Sequence, residues 1–334
     1  MYSNDDLDSA EKAGVLSSKD VTAFRQYVSD KRVTPVVDEE YFRLITGFND
    51  IFVVIACVLL LTSVMWIGKS ESVLVGTVLQ TVAAWGLAEY FTGKRRMALP
   101  SILLLLAFVG GVLGAGVIVL SALDLSKELT IAIASAVAVF AAWLHWQRFK
   151  VPITIAAGTA ALVSCVMMAI FALVPQVREW IAPIIFLAGI AVFVLAMRWD
   201  SSDITRQTRR SDVAFWLHLI AAPLLVHPIF SALNVFDGDL RIWQASFVTM
   251  LYIGIAIISI TIDRRAMMVS ALIYVLYAFN SVLEQYGIVS LGFAFTAFGI
   301  GSGLLLLSAF WHGCRKALIP LLPVKIISKL PALH

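Results

Sequence analysis

The chain has 334 residues, of which 60% are hydrophobic and 14% are charged, and its mean hydropathy is +0.90. A soluble globular protein has about 25% charged residues, so this composition excludes a soluble domain and places the apolar residues in a lipid bilayer. The net charge of +3 arises from basic clusters beside apolar runs, which excludes the single basic face of a nucleic-acid-binding protein.

Residues 1–48 form a polar segment before the first apolar run, without the charged and then apolar opening of a cleaved signal peptide. The pattern predicts a short cytoplasmic helical hairpin, with helices over residues 5–13 and 18–31. Ser17 and Asp20 have the spacing of a capping box at the start of the second helix. Two interpretations stay open: residues 1–45 dock a protein partner, or the segment is an amphipathic lead-in against the bilayer or the bundle.

Ten apolar runs follow, each of a length that crosses a bilayer as a helix. They lie at residues 49–67, 72–91, 98–121, 129–147, 151–174, 180–197, 212–232, 243–262, 266–283 and 287–311. The connections are mostly short, so neighbouring spans are expected to be antiparallel. The sequence therefore predicts an all-α integral membrane protein whose ten-helix transmembrane bundle covers residues 49–311.

The basic residues predict the orientation of this bundle. On one side of the predicted membrane lie 21 of the 25 lysines and arginines, and the loops alternate without an exception. Because cytoplasmic loops are enriched in lysine and arginine, both termini are expected to be cytoplasmic. Residues 312–334 combine basic residues and prolines with apolar residues, which is typical of a tail lying along the cytoplasmic interface.

Two glycine clusters indicate close helix contacts within the bilayer. The clusters are Gly110, Gly111, Gly114 and Gly116 in the third span and Gly299, Gly301 and Gly303 in the tenth, with Gly110/Gly114 and Gly299/Gly303 four residues apart. Glycines four residues apart form a flat stripe that lets another helix approach closely. We expect helix packing at these positions rather than ligand binding.

Ionisable residues near the cytoplasmic ends of the spans are the candidates for chemistry, because such groups are costly in a bilayer. His145 in the fourth span and His218 in the seventh both follow faces of small residues, so they are expected to meet at similar depth. Glu89 and Asp212 are the nearest predicted carboxylates. Such a set can form a structural hydrogen-bond network, relay a proton, bind a divalent metal through the two histidines or, least favoured, hold a haem.

The seventh span also carries the features of a hinge. His227 is nine residues beyond His218, which places it on the opposite helix face and further from the cytoplasm. Pro223 cannot donate to the carbonyl of Leu219, and Pro228 follows His227 directly. The sequence predicts a bent helix that either shapes the bundle or acts as a gate.

Several expected signatures of known chemistry are missing from the sequence. There is no HExxH, GxSxG or P-loop motif, and no carboxylate lies near the middle of a predicted span. The three cysteines have no paired spacing. A strongly ion-coupled pump is disfavoured, and no cofactor is predicted beyond the metal alternative.

Four segments together resemble an uncharacterised family of bacterial inner-membrane proteins with an N-terminal cytoplasmic helix pair. They read WLHWQRFKVP, RWDSSDITRQTRRSDVAFWLHLIAAPLLVHP, DRRA and SAFWHGCRKALIPLLP. The resemblance extends over nearly the whole chain and implies a multi-pass protein of the bacterial inner membrane. It implies no activity.

Three functions are compatible with these features. The first is transport of a small or amphipathic solute, gated around the seventh span. The second is an assembly or regulatory role through a partner of residues 1–45. The third is an interfacial lipid-modifying enzyme, with or without a metal, whose site would be formed by six residues: Glu89, His145, Asp212, His218, Asp263 and Arg264.

Overall fold

The computed structural model describes residues 48–204, 206, 208–233, 242–285, 292–323, 327 and 330, together with residues 7, 10, 11 and 13–24 near the N-terminus. This described part is helical and contains no strand. The chain divides into two compact units, residues 1–43 with residue 334, and residues 44–333. Each unit is described by itself below.

The N-terminal unit contains a helix over residues 18–24 whose start is capped as predicted. The Asp20 backbone N–H donates to the Ser17 hydroxyl at 3.2 Å, and the Ser17 N–H donates to the Asp20 carboxylate at 3.3 Å. The Ser17 hydroxyl also donates to this carboxylate at 2.6 Å. These contacts hold the pKa of the exposed Asp20 carboxyl below its usual range. The rest of the predicted hairpin falls largely outside the described residues.

The second unit is a bundle of helices joined by short connections. Its helices are α1 (Phe48–Lys69), α2 (Val73–Ala88), α3 (Ala98–Leu120), α4 (Lys127–Phe149), α5 (Ile153–Leu173), α6 (Ile181–Ser201), α7 (Arg209–Ala232), α8 (Ile242–Ile262), α9 (Ala266–Gln285), α10 (Gly292–Ala309) and α11 (Trp311–Leu318). A π-helical turn, Glu89–Lys94, continues α2 directly. Short 3₁₀ turns lie at Ser121–Leu123, Pro175–Trp180 and Ile319–Leu321.

Within the described residues, the seven helices α1 to α7 are long and apolar enough to cross a membrane. An eighth span results if α10 and α11, which bend by 68° where they meet, are counted together. Helices α8 and α9 contribute shorter apolar stretches, Ser246–Ile262 and Met268–Asn280. The protein is thus an all-α membrane protein, and the number of ten spans stays a prediction.

Helix α7 lies at the centre of the second unit. It packs along α6 and also contacts α5 and α9. In its most apolar stretch 56% of the residues are buried, against 17–44% for the other six long helices. The polar groups of α7 are therefore enclosed by protein, whereas much of the surface of the other helices is left for lipid.

Of the glycines in the two clusters, those that closely contact another helix among the described residues lie in the third span. A methyl group on Gly111 would overlap a threonine of α2, and one on Gly114 would meet α2 at an ordinary distance of 3.6 Å. At Gly110, Gly299 and Gly303 an added methyl would meet no described atom within 4 Å. No close contact is thus found at these three glycines among the described residues. On α3, the side that meets α2 carries Gly111 and Gly114.

The C-terminal tail packs into the bundle at several positions instead of lying only along the membrane surface. Arg315, Ile319 and Leu330 are 1%, 4% and 5% exposed. Leu330 joins the apolar core formed by α7, α8 and α9. The predicted boundary at residue 312 therefore does not separate a buried bundle from an exposed tail.

Candidate functional site

Eight side chains form a buried polar network at one end of the second unit. This end carries the arginines at the end of α6, the start of α7 and the α8–α9 turn, and we call it the basic end. The polar network consists of Asp200, Arg206, Ser211, His218, Asp263, Arg264, Trp311 and Arg315. It links α6, α7, the α8–α9 turn and α11.

The first half of the polar network is a bidentate ion pair between Asp200 and Arg264. Arg264 Nη2 donates to Asp200 Oδ1 at 2.6 Å, and Arg264 Nε donates to Asp200 Oδ2 at 3.1 Å. Arg264 Nη2 also reaches the Ser211 hydroxyl at 3.1 Å and the Ser211 carbonyl at 3.2 Å. Both charged side chains are only 2% exposed. The pair therefore ties α6 to α7 and to the α8–α9 turn through charge-assisted bonds shielded from water.

His218 lies against this ion pair from the side of α7. Its Nε2 is 3.4 Å from Asp200 Oδ2, and the imidazole is fully buried. Phe193 of α6 meets the ring edge to face, with centroids 5.4 Å apart. Among the described residues, Nδ1 of His218 has no hydrogen-bond partner. The imidazole is thus packed between Phe193 and the ion pair, with Nε2 close to the Asp200 carboxylate.

The second half of the polar network is centred on Asp263. Arg206 Nη1 donates to Asp263 Oδ2 at 2.8 Å, and Trp311 Nε1 donates to Asp263 Oδ1 at 2.7 Å. Arg315 Nη1 lies 3.8 Å from Asp263 Oδ2. Arg206 also donates to the backbone carbonyls of Ile262 and Asp263 at 3.2 and 3.1 Å. The carboxylate thus joins the α6–α7 loop to α11.

The backbone at the end of α8 explains why the adjacent residues Asp263 and Arg264 form their bonds in different halves of the polar network. Asp263 has a left-handed backbone with φ of 58°, which aspartate tolerates better than most residues. The Arg264 N–H returns to the Ser259 carbonyl at 2.9 Å, and the Asp263 N–H returns to the Ile260 carbonyl at 3.2 Å. This pair of bonds is a Schellman motif, which reverses the chain within two residues. The two side chains consequently diverge.

Asp200 was not predicted as a site residue, because the predicted sixth span ended at residue 197 and a loop was expected from Arg198 to Asp212. Helix α6 instead continues to Ser201, and α7 begins at Arg209. A signal was present: Asp200 follows Ala196 by four residues and Gly189 by eleven, which places all three on one helix face. Ala196 and Gly189 are also buried. Extending that face by one turn would have predicted a buried carboxylate.

His145 occupies a different site from His218. Its Nδ1 lies 3.1 Å from the Thr154 hydroxyl of α5, and the imidazole is fully buried. Three aromatic rings surround it, with centroids 6.0, 6.1 and 4.6 Å away: Trp85, Phe108 and Phe149. None of these contacts is shared with His218. Each of the two predicted histidines therefore has its own set of partners.

The predicted carboxylates are also placed apart from the histidines. Glu89, in the π-helical turn, forms a bidentate pair with Arg148 at 2.9 and 2.7 Å, and both side chains are well exposed. Asp212 is half-buried in the first turn of α7. The carboxylate that meets His218 is Asp200 rather than Asp212.

The six residues of the enzyme hypothesis therefore do not form one site. Glu89 pairs with Arg148, and His145 meets Thr154, while Asp263 and Arg264 belong to separate halves of the polar network. In the part of the chain that the structure describes, no three His, Cys, Asp or Glu side chains are arranged to hold a metal ion.

The proline-containing half of α7 has its own close contact with α6. The helix runs without a break from Arg209 to Ala232, with Pro223 and Pro228 inside it. A methyl group on Gly189 of α6 would lie 2.9 Å from the backbone of Leu224 and Leu225. The two helices therefore touch backbone to backbone just beyond Pro223.

His227 lies on this half of α7 and has partners other than those of His218. The side chain is exposed, and its Nδ1 is 2.7 Å from the Tyr274 hydroxyl of α9. Phe230 stacks on the same tyrosine, with ring centroids 4.7 Å apart. Along α7, the two histidines thus contact different neighbouring helices.

These observations define the class of the chain: an all-α membrane protein with charged side chains buried between its helices. Comparison with protein-family models, with curated proteins and with solved structures yields no match. The family resemblance noted above therefore depends on the sequence motifs alone.

Proposed function

We propose that this chain is a multi-pass protein of the bacterial inner membrane that transports a small or amphipathic solute and is gated at the basic end. The single observation that carries the proposal is the buried polar network, which joins four elements at one end of the bundle. Charged residues inside membrane proteins are rare, and they generally face the protein interior and mark solute or ion pathways.

The composition of the polar network suits a gate that opens and closes better than a permanent structural contact between helices. A buried ion pair gives little net stability compared with apolar residues of the same volume, because both charges must be desolvated. The same groups can exchange partners or hydrate without breaking covalent structure. Opening would therefore require Arg264 to leave Asp200, and Arg206 to leave Asp263, as water enters the basic end.

Pro223 supports the proposal by providing a position at which α7 can bend. The missing donor at Pro223 leaves the carbonyl of Leu219 without its usual intrahelical bond. Ser211 and His218 lie on the basic side of this position, whereas the contact with Gly189 lies just beyond it. Bending here would move the polar groups of α7 while the backbone contact with α6 is kept.

The basic clusters support the proposed location and orientation. With 21 of 25 basic residues on one side of the predicted membrane, the basic end would face the cytoplasm together with both termini. Cysteine labelling from either side of spheroplasts tests this orientation. We expect Ser202→Cys to react only after the membrane is opened and Ser126→Cys to react in intact spheroplasts, and the reverse pattern would contradict it.

Flux through reconstituted vesicles tests the transport proposal directly. The probes are uncharged solutes (glycerol, urea and sorbitol) and a fluorescent phospholipid analogue whose exposure is read by dithionite quenching. We expect the protein to raise the permeation of at least one probe at least tenfold over empty vesicles. His218→Ala and Pro223→Ala should each remove most of this increase.

Glu89→Gln is the matched control, since it breaks an Arg–carboxylate pair outside the polar network. It should leave the flux unchanged. Permeation equal to that of empty vesicles for every probe would overturn the proposal. A loss of flux in Glu89→Gln as large as in His218→Ala would overturn the assignment of the gate to the polar network.

A second candidate, an assembly or regulatory role, is favoured by one observation. Residues 1–43 form a compact unit of their own, as expected for a docking module. Deleting residues 1–45 should abolish co-purification of a partner while the remaining protein stays monodisperse. Partners that survive the deletion would contradict this role.

A further inference from the structure

We propose that the protein binds an anionic phospholipid, with one acyl chain between α5 and α6 and the headgroup at the start of α7. The proposal rests on two cavities that lie along one face of α6. It is independent of the proposed transport, because a lipid can be bound without being moved.

The first cavity is an apolar crevice of about 520 Å³ between α5 and α6. Its lining is hydrocarbon apart from Thr159, and includes Leu162 and Val166 of α5 and Leu187 and Ala191 of α6. Leu162, Val166 and Leu187 are 50%, 50% and 64% exposed. Because these side chains lie on membrane-spanning helices, the crevice is open to the lipid phase. It therefore accepts an alkyl chain and offers almost nothing to a polar solute.

The length of the crevice matches one leaflet of the bilayer. On α6 the lining runs from Ile184 to Leu195, and on α5 from Thr159 to Ile170. Eleven residues of helix correspond to about 16 Å, which is half of the ~30 Å hydrocarbon core. The crevice starts about six residues inside the basic end, or roughly 9 Å. The crevice therefore extends from about 9 Å to about 25 Å below the basic end, past the midplane of the core. A lipid with its headgroup at the basic end would place the distal part of its acyl chain in it.

The second cavity, of about 440 Å³, lies at the basic end and is polar. It is lined by Ser202, Thr208, Arg209 and Arg210. In the part of the chain that the structure describes, neither of these arginines forms an ion pair. The nearby Asp203 accepts bonds from the Thr208 N–H and hydroxyl at 2.8 and 2.7 Å. The hydroxyls of Ser202 and Thr208 already donate, to the Trp199 carbonyl at 2.7 Å and to the Asp203 carboxylate. The two guanidinium groups are therefore what this cavity offers to a phosphodiester.

The two cavities are arranged along α6 as the two parts of one lipid require. Ser202 follows Leu195 by seven residues, which is two helical turns, about 10 Å along the same face. Trp199 lies one turn before Ser202, and both Trp199 and Trp146 of α4 pack against the adjacent apolar cluster. Tryptophan is enriched at the level of lipid headgroups. The positions of the cations, the tryptophans and the apolar crevice thus follow the order of headgroup, interface and acyl chain.

Native mass spectrometry of the purified full-length protein tests this proposal. The probes are dioleoyl-phosphatidylglycerol, dioleoyl-phosphatidylcholine and inorganic phosphate. We expect tighter retention of the phosphatidylglycerol than of the phosphatidylcholine. The double variant Arg209→Gln/Arg210→Gln should weaken the anionic lipid about 30-fold, as two lost contacts between a basic residue and an anionic lipid imply. Binding of the phosphatidylcholine should be unchanged in that variant.

Ala191→Phe fills the crevice and should weaken both lipids at least fivefold. Two matched controls should retain wild-type binding: Lys94→Gln/Arg95→Gln, which removes two charges at another basic loop, and Ala136→Phe, which adds the same ring on the exposed face of α4. A photoreactive group on the acyl chain of the phosphatidylglycerol should crosslink to α5 and α6.

Three outcomes would overturn the proposal. The first is equal retention of the anionic lipid by the Arg209→Gln/Arg210→Gln variant and the wild type. The second is displacement of the lipid by inorganic phosphate at equal concentration, and the third is that Ala191→Phe changes only the oligomeric state. The second outcome would indicate a site for a free anion, and the third an interface with a second copy of the chain. Because the arginines are exposed, their variants test the headgroup even if Ala191→Phe fails to fold.

Discussion

Asp200→Asn is the most informative change to the protein's stability, because it removes one charge of a buried pair at nearly constant shape. In the wild type the carboxylate accepts two bonds from Arg264, at 2.6 and 3.1 Å, and both side chains are 2% exposed. The amide leaves the guanidinium buried without a counterion. Removing one partner of a buried pair costs about 3–5 kcal/mol, which is more than a hundredfold in the folded-to-unfolded ratio. Unfolding by SDS in mixed micelles, followed by fluorescence, measures the loss.

Two further variants separate this explanation from a general sensitivity to charge. Glu89→Gln breaks a pair with the same bidentate geometry, but its side chains are 36% and 61% exposed, so the cost should stay below about 1 kcal/mol. The double variant Asp200→Leu/Arg264→Met removes both buried charges and should be more stable than Asp200→Asn. Equal losses for Asp200→Asn and Glu89→Gln, or a double variant less stable than the single one, would refute the reasoning.

Three other predictions concern packing, local protonation and a single donor. Gly189→Ala should destabilise the protein by about 1–3 kcal/mol, because the new methyl group meets the backbone of α7, which cannot move aside alone. In the same SDS titration the control Gly110→Ala should not lower the stability, and equal effects of the two variants would contradict the contact. In ¹³C NMR titrations the pKa of the Asp20 carboxyl should lie below its usual range, and in Ser17→Ala it should return to that range. The stability that the lowered pKa contributes is fully present above the ordinary carboxyl pKa, and it is lost as the pH falls through the lowered pKa. Trp311→Phe removes one donor to a buried carboxylate and should cost about 1.5–3 kcal/mol in SDS unfolding, so wild-type stability would contradict that bond.

Part of the candidate site could be predicted from the sequence. Asp263, Arg264 and His218 were recognised because ionisable groups are conspicuous beside apolar runs. Their partners were not: Asp200 was assigned to a loop, and Arg206 and Arg315 were counted only as boundary charges. A helical pattern shows which residues share a face of one helix, but it does not show which neighbouring helix that face meets.

The pairing of His145 with His218 illustrates the same limit. Both histidines follow faces of small residues, and that pattern is the same whichever helix packs there. In the structure His145 contacts α5 and a set of aromatic rings, whereas His218 contacts Asp200 of α6. Similar depth in the membrane is a necessary condition for contact, but not a sufficient one.

The sequence by itself determined the class of this protein, because transfer of long apolar helices out of water depends on composition and length. It also determined the cap of the N-terminal helix, since the cap depends on residues close together in the chain. The sidedness of the bundle stays a prediction from the basic loops. Only the tertiary structure decided which charges are buried together. The pair between Asp200 and Arg264 joins residues 64 positions apart, and the backbone reversal at Asp263 directs adjacent side chains to different helices. Such pairings depend on how the helices pack, which local sequence does not specify.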